Sequence, residues 1–278
     1  PPPPSAASAG RRGVLYASTG AGGIIGFERC LTTGALTPRA ELSSDAAAGS
    51  MAVDPTGRFV YACLSSTATS DGPALGSWEV GPEGQLLPLG EPHPLADGSQ
   101  FLCVDHTGRF VFTSYFRIFD GETGGGIGLH ATNPQGLVDS TVKRMRTAVG
   151  SHSVWPDPTN RWVFVPATDR NAEFPPEEGE PGGNAIFQFA FSAAEGRLEP
   201  HPTQPRLAAG QNQGPRHLVW GVVGPEQPQQ IAYTSDEQGC SVTAYRLDSK
   251  MGTLQNIQTI STVGEPVQEG WNCSRKIR

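Results

Sequence analysis

The chain has 278 residues and a formal net charge of −7, with 35 glycines and 25 prolines. The acidic balance argues against a nucleic-acid surface, and no apolar run approaches the roughly eighteen residues of a membrane-spanning helix. So much glycine and proline would interrupt most helices, and no long stretch carries a 3.6-residue period, so the length fits one large all-β domain with a sizeable core.

In chain order, residues 1–13 open with four prolines followed by Ser and Ala. They read as a flexible tail or remnant without a secretory signal, ahead of a domain at 14–278. Residues 20–26 are glycine-rich after a strand, but no helix follows and the Gly-x-Gly-x-x-Gly spacing fails, which excludes a dinucleotide loop. Then comes a phrase written three times: Asp54-Pro55-Thr56-Gly57-Arg58-Phe59-Val60-Tyr61, Asp105-His106-Thr107-Gly108-Arg109-Phe110-Val111-Phe112 and Asp157-Pro158-Thr159-Asn160-Arg161-Trp162-Val163-Phe164. Each is a turn, with Gly or Asn free to take positive φ, followed by a strand of alternating faces. The copies lie 51 and 52 residues apart. A second phrase, Gly-x-Leu, recurs at Gly34, Gly84, Gly196 and Gly252, with Gly136-Leu137 as a short version. Strand-like runs at 24–29, 75–80, 127–132, 185–191 and 241–247 precede these hairpins. One unit therefore reads strand, Asp-x-Thr-Gly turn, strand, loop, strand, Gly-x-Leu turn, strand: the blade of a β-propeller. Five units are visible, with second strands beginning near Val14, Val60, Val111, Val163 and Ala232. In the fifth, a longer Pro/Gln-rich loop at 221–230 replaces the turn.

Antiparallel pairing puts the start of each innermost strand and the end of the second strand on one face of the disc, near its axis. His152 starts one innermost strand, Arg216 holds the same place in the next blade, and Glu237 ends that blade's second strand. A His, an Arg and a carboxylate thus converge on the channel mouth, where other blades carry Gly49 and Gln100. Together they can supply a base, a donor for a developing oxyanion and a cation for an acidic ligand. His152 titrates near neutrality in its ordinary state and can be the base. Arg216 offers a fork for phosphate or carboxylate, and Glu237 can relay protons or orient His152. Bland readings stand beside these: a hydrogen-bond network at His152, a structural pair of Arg216 with Asp236 or Glu237, and an exposed loop at Glu237. His217 can donate a hydrogen bond, although alternation points it into the blade. Arg58, Arg109 and Arg161 recur with the blade and read as structural; His93, His106, His130 and His201 read as surface or turn residues. The acidic run 173–181 reads as a solvated loop near the mouth. Five widely spaced cysteines (Cys30, Cys63, Cys103, Cys240, Cys273) fit reduced thiols in the cytoplasm, and neither a Cys-x-x-Cys nor a His-Glu-x-x-His pair suggests a metal.

Three phrases, His152-Ser153-Val154-Trp155-Pro156-Asp157-Pro158, Gly214-Pro215-Arg216-His217-Leu218-Val219-Trp220 and Tyr233-Thr234-Ser235-Asp236-Glu237, stand at the right distances beside Val242-Thr243-Ala244-Tyr245-Arg246. With the repeats, the chain resembles the seven-bladed propeller lactonases from residue 13 to its end. That family includes a bacterial type of 6-phosphogluconolactonase and the fungal 3-carboxy-cis,cis-muconate lactonizing enzyme. The resemblance implies catalytic or substrate-binding roles at His152, Arg216 and Glu237, a small anionic sugar lactone as substrate, and no cofactor. It also implies seven blades and an Arg on the sixth, a position this sequence lacks; Arg275 falls by spacing at the inner-strand position of a sixth unit and is the candidate substitute. Three accounts fit the ending: a fragment of a seven-bladed enzyme, an open arc whose blade edges invite oligomerisation, or a smaller ring closed by 274–278. Hydrolysis of 6-phosphogluconolactone is the leading expectation, with the muconate cycloisomerase reaction and a non-catalytic binding module as alternatives.

Overall fold

The computed structural model describes residues 12–19, 23–40, 47–65, 72–176, 178–179, 181–224 and 229–264. Among the described residues the strands fall into five consecutive antiparallel blade sheets, one per sequence unit, and one separate two-stranded hairpin. Blade one holds β1 (Arg12–Ser18), β2 (Ile24–Cys30) and β3 (Leu36–Pro38). Blade two holds β4 (Ala48–Val53), β5 (Phe59–Leu64), β6 (Ala74–Val80) and β7 (Leu86–Pro88), with β8 (His93–Pro94) beside β6. Blade three begins with β9 (Phe101–Val104) and β10 (Phe110–Tyr115). A small hairpin of β11 (Ile118–Phe119) and β12 (Glu122–Thr123) follows, then β13 (Gly125–Thr132) and β14 (Val138–Thr147). Blade four comprises β15 (Trp155–Pro156), β16 (Trp162–Ala167), β17 (Ala185–Ser192) and β18 (Arg197–Pro200), with β19 (Arg206–Ala208) beside β17. Blade five comprises β20 (Pro215–Val223), β21 (Gln229–Asp236), β22 (Ser241–Asp248) and β23 (Thr253–Ser261). The all-β blade order expected from the repeats is the observed one.

The repeated Asp is the hub of its turn. One Asp105 oxygen accepts the Thr107 N–H at 2.9 Å and the Thr107 hydroxyl at 2.6 Å, while the other accepts the N–H groups of Arg109 and Phe110, both at 2.9 Å. Asp157 repeats the pattern with Thr159, Arg161 and Trp162. Gly57, Gly108 and Asn160 occupy the left-handed region at φ 74°, 73° and 59°. Neighbouring turns also interlock: the Asn160 side-chain amide donates to Asp105 at 2.8 Å and accepts from the His106 N–H at 3.1 Å.

The second strands of blades two, three and four are sandwiched between neighbouring blades and are buried on both faces. All six residues of β5 are buried. Val60, Ala62 and Leu64 pack toward blade one with Ile24, whereas Phe59, Tyr61 and Cys63 pack toward blade three with Leu102, Val111 and Val138. In β10, Phe110 and Phe112 join Val163 and Val165 at the next seam, and Phe164 leads into the seam with Leu218 and Tyr245 of blade five. The core is thus a series of seams between adjacent blades.

Some expectations need correction. His130 is fully buried, its ring nitrogens 3.0 and 3.1 Å from the hydroxyls of Thr113 and Thr141. His201 is buried too, its Nδ1 accepting the Gln204 N–H at 2.9 Å. Cys30, Cys63 and Cys103 are free, but Cys240 is disulfide-bonded, so the thiols are not all reduced. β1 already begins at Arg12. Cys273, Arg275 and the segment 274–278 lie outside the described residues, as do residues 1–11.

Candidate active site

His152 and Arg216 come from the entrances of the inner strands of blades four and five, on the face opposite the Asp turns. A left-handed glycine stands two residues ahead of each: Gly150 at φ 100° and Gly214 at φ 66°. Neither position has room for a Cβ, which would press on the Thr168 carbonyl in the first case and the Gln238 side chain in the second. His152 lies ahead of β15, not inside a continuous strand, yet its N–H still donates to the Pro166 carbonyl at 3.0 Å. The Gln100 N–H makes the matching bond to Ser114 in blade three, which supports the positional equivalence read from the repeats. Arg216 sits at a register shift between Pro215 and His217, a bulge that re-aims its side chain.

The structure brings His152, Arg216 and Glu237 together. The Arg216 Nε–H donates to His152 Nε2 at 2.9 Å, and the same nitrogen lies 3.1 Å from Glu237 Oε2. The Glu237 side chain is 2% exposed, so it is no surface loop residue, whereas that of Arg216 is 36% exposed. The terminal nitrogens of Arg216 engage no described residue. Asp236 points away from the site, into hydroxyls of Thr234, Ser241 and Thr243 at 2.6–2.8 Å. The ring of His217 meets that of His152 edge-on at 4.9 Å and that of Phe101 at 5.7 Å.

His152 does not titrate near neutrality: burial, then the Arg216 guanidinium and His217, push its pKa down to about 3. Burial and Arg216 also lower His217. A neutral His152 that accepts at Nε2 carries its proton on Nδ1, an atom buried without a hydrogen-bond partner.

Sequence reasoning missed two residues. Arg170, three residues past β16, places Nη2 2.7 Å from Glu237 Oε1 and Nη1 3.2 Å from Glu173. Phe116, just past β10, lies 5.6 Å from the His152 ring and 5.6 Å from the Arg170 guanidinium. Both leave the ends of second strands, the position that singled out Glu237. The acidic run also reaches the site: Glu173 holds Arg170, and Phe174 lies under Arg117 at 4.9 Å.

Residues 14–275 match the family model described as "Lactonase, 7-bladed beta-propeller". The chain belongs to this lactonase family. Among its curated relatives is a 6-phosphogluconolactonase of Cronobacter sakazakii, 30% identical over 179 residues that cover 64% of this chain and 45% of that protein. A 6-phosphogluconolactonase of Pectobacterium carotovorum is 25% identical over 187 residues, 67% of this chain and 48% of that one. The chain spans about half the length of the curated relatives it matches. Solved structures show the same fold. A periplasmic gluconolactonase of Pseudomonas aeruginosa superposes with a TM-score of 0.72 at 17% identity, over 94% of this chain and 69% of that one. A putative 6-phosphogluconolactonase of Bacteroides fragilis gives 0.69 at 18% identity, over 93% and 69%. In this lactonase-family propeller, the candidate cluster sits between two adjacent blades.

Proposed function

We propose that the chain carries a lactonase site that hydrolyses a sugar-acid lactone, 6-phosphogluconolactone first among them. The observation behind this is the posture of Arg216. Its Nε is held by His152 and flanked by Glu237, while its terminal nitrogens face no described partner on a partly exposed side chain. A fork held in this way suits an anionic substrate, and the charge that builds on the carbonyl oxygen as water attacks.

In this reading Glu237 keeps Arg216 in place and His152 takes the proton from water. His152 Nε2 is capped by Arg216 in the free protein. An anion that grips Arg216 side-on takes that N–H for itself, uncovers Nε2 and offsets one of the charges that depress His152. The ring then accepts a proton as the water oxygen bonds to the lactone carbonyl, and returns it to the leaving ring oxygen as the ester C–O bond breaks, which releases the hydroxy acid and restores neutral His152. His217, against the His152 ring, lines the same substrate-binding side. Arg275 remains a further proposed substrate contact, outside the described residues.

A substrate panel tests the reading. Hydrolysis above the spontaneous rate should be fastest with 6-phosphogluconolactone and weaker with unphosphorylated gluconolactone. Turnover of carboxymuconate instead would favour the cycloisomerase, and no turnover by a folded sample would favour a binding module. Cytoplasmic location is the expectation from the sequence, but the Cys240 disulfide favours an oxidising compartment; thiol labelling in cell extracts separates the two. We also propose that the open blade faces let this chain self-associate.

A further inference from the structure

In 6-phosphogluconolactone the phosphate and the reacting carbonyl stand at opposite ends of the carbon chain, so one guanidinium cannot hold both. A phosphate monoester also brings close to two negative charges near neutrality, more than one cation offsets. Most arginines on the site's face of the disc are already matched to acids. Arg144 lies 2.6 Å from Asp97 and 2.9 Å from Asp120, Arg146 lies 3.1 Å from Glu122, and Arg170 bridges Glu173 and Glu237. Arg117 differs. It is exposed and has no carboxylate partner among the described residues. Its guanidinium stands over the Phe174 ring at 4.9 Å, a contact that holds the cation and leaves its N–H donors without an oxygen partner among the described residues.

Arg117 is fastened to the site from both sides. Phe116, the residue before it, lies 5.6 Å from the His152 ring, and its carbonyl accepts at 2.7 Å the N–H of Gly150, two residues ahead of His152. On the other side the Phe174 N–H donates to the Arg170 carbonyl at 2.8 Å, and the Arg170 guanidinium lies 5.6 Å from Phe116. Phe116, Arg170 and Phe174 thus hold Arg117 at the rim of the mouth where His152 and Arg216 meet.

We propose that Arg117 is a specificity-determining residue that receives the phosphate of the lactone, while Arg216 serves the reacting end. This rests on the lactonase reading. The division follows from the two postures. Arg216 has its Nε against His152, so it stands beside the proposed base, where charge builds on the carbonyl oxygen. Arg117 stands at the rim on an aromatic seat, and its planar fork matches the oxygens of a phosphate monoester. A ligand without the phosphate forgoes this contact and keeps the one at Arg216.

The test uses the full chain and two pairs of ligands: 6-phosphogluconolactone and gluconolactone for turnover, 6-phosphogluconate and gluconate for binding by calorimetry. The wild type should prefer the phosphorylated member of each pair. In Arg117→Met, which keeps an apolar stem beside Phe174, that preference is expected to fall about tenfold in kcat/KM and in affinity, with KM carrying most of the change. Arg117→Lys keeps the charge without the fork and should restore part of the preference. Phe174→Leu, which removes the ring from under the guanidinium, should lower it by less than Arg117→Met does. A folded Arg117→Met whose preference matches that of the wild type overturns the proposal, even where its rates or unfolding temperature fall. So does a wild-type chain that binds 6-phosphogluconate no better than gluconate. Should the methionine variant fail to fold, Arg117→Gln carries the same comparison with the same outcomes. A wild-type chain that turns over neither lactone removes the lactonase reading, and the two binding affinities still decide the role of Arg117.

Discussion

At the residue scale, one buried imidazole ties chemistry to pH. The His152 pKa lies near 3, against an ordinary 6.5. Its unprotonated form, the one able to accept a proton, therefore persists well into acid. The acid limb of kcat/KM, which reports the free protein, is expected well below pH 6.5 after subtraction of the spontaneous rate; a half-fall near 6.5 would mean a solvated base. The same shift has a stability consequence. His130 is also pushed down to about 3, by burial first and then by His93 and Arg144. Below pH 6.5 the unfolded chain binds protons that the folded chain refuses, so stability falls as pH drops from 6.5 toward 3. The urea midpoint should decline between pH 7 and 4, and His130→Gln should flatten that decline. His152, Arg216 and Glu237 were legible in the sequence because blade geometry alone puts them at one mouth. The orientation of His217 was not. Strict alternation sends it into the blade, but the bulge at Arg216 shifts the register and brings its ring against His152.

At the element scale, the Asp turns set the blades and the bulged strand entrances set the site. Asp105 is fully buried and accepts four bonds within its turn plus one from Asn160 of the next blade. Asp105→Ala should cost about 2–4 kcal/mol in urea unfolding, because it strands the buried Phe110 N–H and takes the shared carboxylate from the Thr107 and Arg109 N–H groups. A loss under 1 kcal/mol would show that water replaces the carboxylate. These turns were readable in advance, since Asp, Thr and a left-handed Gly or Asn at fixed offsets have one common use. The β11–β12 hairpin was not, because no repeat announces a hairpin present in one blade. Arg170 and Phe116 escaped for a different reason. Strand ends at 116 and 170 lie on the same face as Glu237, but their loops carry no repeated phrase to mark them.

At the scale of the whole molecule, apolar seams join each blade to the next, and the outer blades leave apolar residues exposed. Val219, Val222 and Ile260 in blade five are 56–60% exposed, and Val14 and Ile25 in blade one are 43% and 40% exposed. Produced alone, this chain is expected to self-associate with rising concentration, and Val219→Lys with Ile260→Lys should reduce that in light scattering; a monomer at all concentrations would speak against it. His152, Arg216 and Glu237 of the proposed site all lie at the described seam between blades four and five, so the roles proposed for them can be tested on this chain directly. The decisive measurement is kcat/KM for 6-phosphogluconolactone in the wild-type chain and in Arg216→Ala, each corrected for spontaneous hydrolysis. The account expects a wild-type rate above background and a loss of about 10²–10³-fold in the variant, with the fold intact by circular dichroism. A variant as fast as the wild type would contradict the role given to Arg216 and the proposed site with it.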